Sequence, residues 1–355
     1  MPLHRADATE PVPSASGSTA LPLSRAAITA VERSLQTTRL TLPPRRRHLP
    51  QLAFGAGTLA RLRDGDVQVL DDRSLDELAV VPLERPRAVV GMADGALVAV
   101  GDGGLVRFER GKRVAAPGPR PVLFPGAELY PDARSPDLLW VFDAESSPPN
   151  LRSYRLGASS VGGVLVPEQA IDLESPRGGT LGVTREGVWL YLSPHRVERL
   201  APSGLQLTPL VGGPAPVPSW SLPTRRVDQS VWVDEAGKLT RALVSPVFKP
   251  LGTVSYPGST YAAGAGYEGR LLALITVTGA GPRFELSLFD ADLRELARAR
   301  LPGEPPTGER DWVRVVTRNQ ELAVAPRSAR VAVGGPDRLT IYDESAVATL
   351  SIPIR

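Results

Sequence analysis

The feature that most constrains this chain is its texture from about residue 40 onward. Runs of four to eight apolar or β-branched residues recur, separated at regular intervals by Gly, Pro, Asp and Ser. Runs of that length, alternating in polarity and bounded by turn formers, read as short strands joined by tight connections. They also repeat as a group. QLAFGAG, TLARLRDG, DVQVLDD and DELAVVPL fill residues 51–83, and AVVGMADG, ALVAVGDG, GLVRFERG and KRVAAPG fill 88–118. Leu59 and Leu97 hold equivalent places, 38 residues apart.

Later stretches keep the order. AELYPD, DLLWVFD, LRSYRLG and GGVLVPE lie in 127–168, and GGTLGVT, GVWLYLS, RVERLAP and LQLTPL in 178–210. A fifth unit covers 219–256 and a sixth 260–302; ELAVAPR, ARVAVGG, RLTIYDE and AVATLSI form the last. A four-strand meander repeated at this period predicts an all-β chain forming a single β-propeller over 44–355. That span allows about 45 residues for each of seven four-stranded blades and about 52 for each of six, so the period favours seven over six or eight.

The last unit resembles a WD-repeat or related bacterial propeller blade, with the small residues Gly334 and Gly335 before an alternating strand that ends in Ile341-Tyr342-Asp343. Similar endings occur at Phe142-Asp143, Phe289-Asp290 and Leu70-Asp71. The Trp-Asp pair and the opening Gly-His of such blades are missing. The resemblance implies the fold and a role as an interaction platform.

Residues 1–43 are expected to be a flexible tail, because 1–23 are rich in Pro, Ser, Ala and Thr and hold too little apolar surface to offset ordering. Ser24 can cap a short helix over 24–35, with Ile28, Val31 and Leu35 on one face. A ring must close to hide its strand edges. Either 38–42 adds the outer strand of the last blade, or AVATLSI completes that blade from within.

A net charge of +3 over 355 residues argues against nucleic acid as partner, and no apolar run approaches a membrane span. No secretory leader is evident, so a cytoplasmic location is expected. The chain has no cysteine and three histidines, His4, His48 and His195, which removes thiolate chemistry and disfavours a metal centre. No cofactor is expected.

Of the 41 basic residues all but Lys112, Lys238 and Lys249 are arginines, whose planar fork suits carboxylates and phosphates. In such a ring, the connection from one blade's outer strand to the next blade's inner strand lies on the face that commonly binds ligands. PPRRRHLP, LERPRAVV, APGPRPVLF, ESPRGGT and PTGERDWV occupy those places, bringing Arg47, Arg85, Arg87, Arg120, Arg177 and Arg310 to one mouth. Arg225 joins them only if its register shifts, and SYPGSTY supplies tyrosines instead. These arginines form either an anion-binding rim or clamps between blades, neutralised by Glu84, Glu174, Glu309 and Asp311.

Other candidates read as structural. Arg45, Arg46 and Arg47 lack interleaved aromatics, and Trp140, Trp189 and Trp232 sit in alternating runs as core residues. Trp220 and Trp312 lie nearer connections. No nucleophile elbow accompanies His195, and Gly101-Asp102-Gly103-Gly104 is a hairpin turn with no helix behind it. The sequence therefore predicts a non-catalytic platform for another protein in a larger assembly, binding an acidic or phosphorylated segment. The alternative is a hydrolase with a carboxylate-lined channel site.

Overall fold

The computed structural model describes residues 51–354 apart from 114–127, 157–168, 173–179, 211–219, 304–320 and several shorter stretches, and backbone only for the strand residues within 112–113 and 169–210. Among the described residues, strands group into seven four-stranded sheets, each built from consecutive strands paired antiparallel. Sheet 1 holds β1 (Leu52–Phe54), β2 (Thr58–Arg63), β3 (Asp66–Asp71) and β4 (Glu77–Pro82). Sheet 2 holds β5 (Pro86–Gly91), β6 (Leu97–Gly101), β7 (Gly104–Glu109) and β8 (Lys112–Arg113). Sheet 3 follows with β9 (Glu128–Pro131), β10 (Leu138–Asp143), β11 (Asn150–Arg155) and β12 (Gln169–Asp172). Sheet 4 contains β13 (Thr180–Thr184), β14 (Gly187–Ser193), β15 (Arg196–Ala201) and β16 (Gly204–Leu210). Sheet 5 contains β17 (Trp220–Pro223), β18 (Gln229–Val233), β19 (Lys238–Leu243) and β20 (Lys249–Ser255). Sheet 6 is β21 (Ser259–Ala265), β22 (Leu272–Thr278), β23 (Arg283–Phe289) and β24 (Glu295–Arg300). Sheet 7 is β25 (Glu321–Val324), β26 (Val331–Gly334), β27 (Arg338–Tyr342) and β28 (Ala348–Pro353).

The first strand of each sheet lies against the first strand of the next, and β25 lies against β1. The architecture is therefore a single closed β-propeller. Two residues in particular allow the inner strands to approach. A Cβ on Gly91 of β5 would collide with the Phe54 carbonyl oxygen of β1, and one on Gly266, just after β21, with that of Ala325. Alternating strands place apolar side chains on both faces of each sheet, so the core is distributed between sheets. Val67, Val69 and Val81 of sheet 1 meet Val89, Ala99 and Phe108 of sheet 2; Leu52, Phe54 and Leu59 meet Ala332, Leu339 and Ile341 of sheet 7. Phe108 and Phe289 are fully buried, and each contributes about 1.5–3 kcal/mol by leaving water.

AVATLSI supplies most of β28, the fourth strand of the last sheet; 38–42, the 24–35 helix and the rest of the expected tail lie outside the described residues. The outer strand of sheet 3 is β12 rather than GGVLVPE, which also lies outside them. Gly162, Gly163 and Pro167 are poor strand formers, whereas Ala170 and Ile171 pair with Arg152 and Leu151. Three of the four apolar-acidic endings are equivalent: Asp71 ends a third strand, Asp290 and Asp343 each follow one, and all three start its turn. Asp290 Oδ1 accepts the amides of Asp292 and Arg294, and Asp343 Oδ1 those of Ser345 and Val347. Phe142-Asp143 instead ends a second strand, β10.

Trp140 and Trp232 are buried as expected, and Trp140 Nε1 donates to Asp132 Oδ2 at 3.1 Å. Trp220 opens β17, half-buried against the core between sheets 5 and 6. The side chain of Trp189 and all of Trp312 lie outside the described residues.

Candidate functional site

Alternating strand direction puts each connection between sheets on the same face as the turn between second and third strands. Arg85 stands in the β4–β5 connection, exposed, with φ 44°, a left-handed conformation that costs a non-glycine residue about 1–2 kcal/mol. Arg87, in β5, is half-buried. The connection hugs the end of β6 because Gly101 has no side chain; a Cβ there would lie 2.6 Å from the Glu84 carbonyl oxygen and 3.1 Å from that of Arg85. Neither arginine is without a partner. Arg47, Arg120, Arg177 and Arg310 lie outside the described residues. Arg225 follows β17 and so belongs to the β17–β18 connection on the opposite face. Of the expected rim, the structure thus brings together Arg85 and Arg87.

The sixth connection carries Tyr256, whose hydroxyl donates to Glu295 Oε2 at 2.7 Å. Its ring meets Phe289 edge-on at 4.7 Å and lies 5.6 Å from the Arg298 guanidinium carbon. Burial, reinforced by Glu295, pushes the phenol well above its ordinary range, so Tyr256 stays a neutral donor. Tyr261 packs edge-on against Phe284 at 5.1 Å. Burial and the Glu321 charge raise its phenol to about 12.

Arg61 and Glu321 were not legible as a site in the sequence. Leu59 and Arg61 alternate along β2 on the side facing sheet 7, and Glu321 and Ala323 alternate along β25 on the side facing sheet 1. The pair therefore meets where the first and last sheets join. Burial pushes the Glu321 carboxyl up, against the opposing pull of Arg61, and burial likewise lowers the Arg61 guanidinium. Arg61 Nε and Glu321 Oε2 are buried without hydrogen-bond partners. Glu321 lies over Gly334, where a Cβ would stand 2.9 Å from Oε2. The one available signal was a pair of charges, Arg61 in TLARLR and Glu321 in ELAVAPR, placed at otherwise apolar positions.

The charged neighbour of Glu321 is a cation, Arg61, rather than a second acid. No group of three His, Asp or Glu residues among those described can hold a metal ion. No described helix is long and apolar enough to cross a membrane.

No protein-family model and no curated protein matches the chain. Solved structures do match in fold. The β-propeller domain of Cps50 (Swd1) from Myceliophteria thermophila aligns with a TM-score of 0.56 and 13% identity over 82% of this chain and 94% of that one. A functionally unknown protein from Desulfotomaculum acetoxidans aligns at 0.58 and 12% identity, over 84% and 95%. Raptor from Chaetomium thermophilum aligns at 0.56 and 12% identity, covering 96% of this chain and 33% of that longer one. At these identities the likeness shows the fold alone: the chain is a β-propeller.

Proposed function

We propose that the seven sheets are the seven blades of an interaction propeller, a non-catalytic scaffold or accessory subunit working in the cytoplasm. It holds an acidic or phosphorylated segment of a protein partner on the face that carries the connections between blades. The observation behind this reading is Arg85, exposed in a left-handed conformation at such a connection, with Arg87 two residues on. Strained residues persist where surrounding structure imposes them, and they cluster at binding sites. Arg120, Arg177, Arg310 and Arg47 recur at the corresponding places in sequence. Similarity to the Swd1 and Raptor folds accords with the reading by analogy.

The test is affinity capture with the full chain and with a variant in which Arg85, Arg177 and Arg310 are replaced by Glu. Loss of the same captured proteins, with the melting temperature unchanged, supports the rim. Identical capture at several salt concentrations overturns it. The alternative, a hydrolase with a carboxylate-lined channel site, is tested on glycoside and ester substrates, and absence of turnover disposes of it.

A further inference from the structure

Among the described residues each sheet ends in an outer strand with one unpaired edge, and such an edge is a template for another strand unless it is blocked. Several outer strands carry a proline, Pro82 in β4, Pro209 in β16, Pro250 in β20 and Pro353 in β28. β24, with the sequence ELARAR, has neither Pro nor Gly.

The register shows where blocking matters. The Leu301 amide donates to the Phe284 carbonyl oxygen at 3.0 Å, so that pair is hydrogen-bonded to β23. Hydrogen-bonded and non-bonded pairs alternate along an antiparallel ladder. The next pair, Glu285 with Arg300, is non-bonded, and so is Ser287 with Arg298. The backbone N–H and C=O of Arg298 and Arg300 therefore point away from the sheet, into the free edge. The same logic applies to its sister sheets. The Leu83 amide donates to Gly65 and the Ile354 amide to Asp337, which puts Pro82 and Pro353 at the place of Arg300. Two sheets thus carry a proline, which has no N–H to offer, at the edge position where sheet 6 has Arg300.

The side chains add selectivity. Leu296, Arg298 and Arg300 are exposed, with Leu296 at 47%. Arg298 is oriented by Glu295 at 2.9 Å and by the Tyr256 ring. Arg283 and Arg294 are also exposed; Arg283 and Arg298 pair with Glu285 at 3.0 and 3.6 Å. A second copy of β24 would bring arginine against arginine and is repelled.

We propose that the free edge of β24 receives an extended acidic segment of a protein partner, which adds antiparallel to sheet 6 as a fifth strand. Residues directly opposite in such a pair lie close enough for charges to interact. The segment therefore reads, from its N-terminus, acid, any residue, acid, any residue, apolar, facing Arg300, Arg298 and Leu296 in turn. The inference rests on the protein being an interaction platform, and it names a segment and an edge that the face bearing Arg85 does not include.

The test uses the full chain and a fluorescein-labelled nine-residue peptide with the core Glu-Thr-Glu-Thr-Leu, followed by fluorescence anisotropy. An isomeric control carries Glu-Glu-Thr-Thr-Leu. The first peptide is expected to bind at least about tenfold more tightly than the second, and Arg300→Pro and the double change Arg298→Glu with Arg300→Glu each weaken it by about tenfold or more. Arg300→Pro keeps the blade's own ladder intact, as Pro82 and Pro353 do, and its melting temperature verifies this. Equal binding of the two peptides, no binding, or full binding to a folded Arg300→Pro variant overturns the proposal. Binding that survives both edge changes and is lost on Arg85→Glu overturns the edge while leaving the platform reading in place.

Discussion

Arg330 of the last sheet grips Asp72 of the first across 258 positions of sequence: its Nη2 lies 2.6 Å from Asp72 Oδ2, and its Nη1 donates to the Asp72 carbonyl oxygen at 2.6 Å. The guanidinium also stands 5.9 Å from the Phe54 ring centroid. Among the described residues each sheet is made of consecutive strands. The join is lined by the apolar strip of Leu52, Phe54, Leu59, Ala332, Leu339 and Ile341, with Arg330–Asp72 and the charges of Arg61 and Glu321 beside it.

Arg330→Ala is therefore expected to cost about 2–3 kcal/mol, because Asp72 is 8% exposed on its side chain and loses a bidentate partner. Arg330→Lys should recover only part of this, since an ammonium cannot reach both acceptors in one plane. Urea denaturation of the two single variants, Asp72→Asn, and the double variant measures the coupling. Additive losses would show that the contact does not secure the join.

The Glu321 carboxyl has its pKa raised above 4.5, mainly by burial. The native state thus holds a proton that the unfolded chain releases at about pH 4.5, and stability falls as pH rises through the folded value. Glu321→Gln cannot ionise. Its stability relative to the parent should grow from pH 4 toward neutrality, as read by urea titration at several pH values. Parallel curves for the two proteins would mean that Glu321 is solvated in solution.

These two contacts also mark what the sequence could and could not reveal. The strand rhythm was legible because apolar alternation and turn residues are local, and so were Leu70-Asp71, Phe289-Asp290 and Tyr342-Asp343, whose aspartates cap their own turns. Phe142-Asp143 looks the same in sequence yet ends a different strand, because a two-residue motif carries no position within a blade. Arg61 with Glu321, and Asp72 with Arg330, were invisible, since ring closure pairs residues from opposite ends of the chain. Arg225 was placed correctly only once β17 fixed the register.

Glycine 91 is predicted to be irreplaceable where Gly252 is not. A methyl at Gly91 would push β5 away from the Phe54 carbonyl, and overpacking of this kind costs about 1–3 kcal/mol. Around Gly252, on the outer strand of sheet 5, a Cβ meets nothing within 4 Å, so Gly252→Ala should leave stability unchanged or raise it by about 0.5 kcal/mol through the unfolded chain. Thermal melts of the two alanine variants compare them directly. Equal losses would contradict the close approach of the inner strands.

The aspartate-started turns supply the last prediction. Leu75, Leu293 and Ala346 adopt φ values of 63°, 62° and 56° at matching places, although none is glycine. Their side chains explain it, being 4%, 5% and 8% exposed and tucked into the core. At Leu293 the apolar contact outweighs the strain, so Leu293→Gly should destabilise by about 2–4 kcal/mol. At Ala346 only a methyl is at stake, and losing it nearly cancels the relief of about 1 kcal/mol, so Ala346→Gly should lie within about 0.5 kcal/mol of the parent. Asp290→Ala and Asp343→Ala, which free two amides each, should cost about 1 kcal/mol. A stabilised Leu293→Gly variant in chemical denaturation would mean that turn strain, not burial, governs these corners.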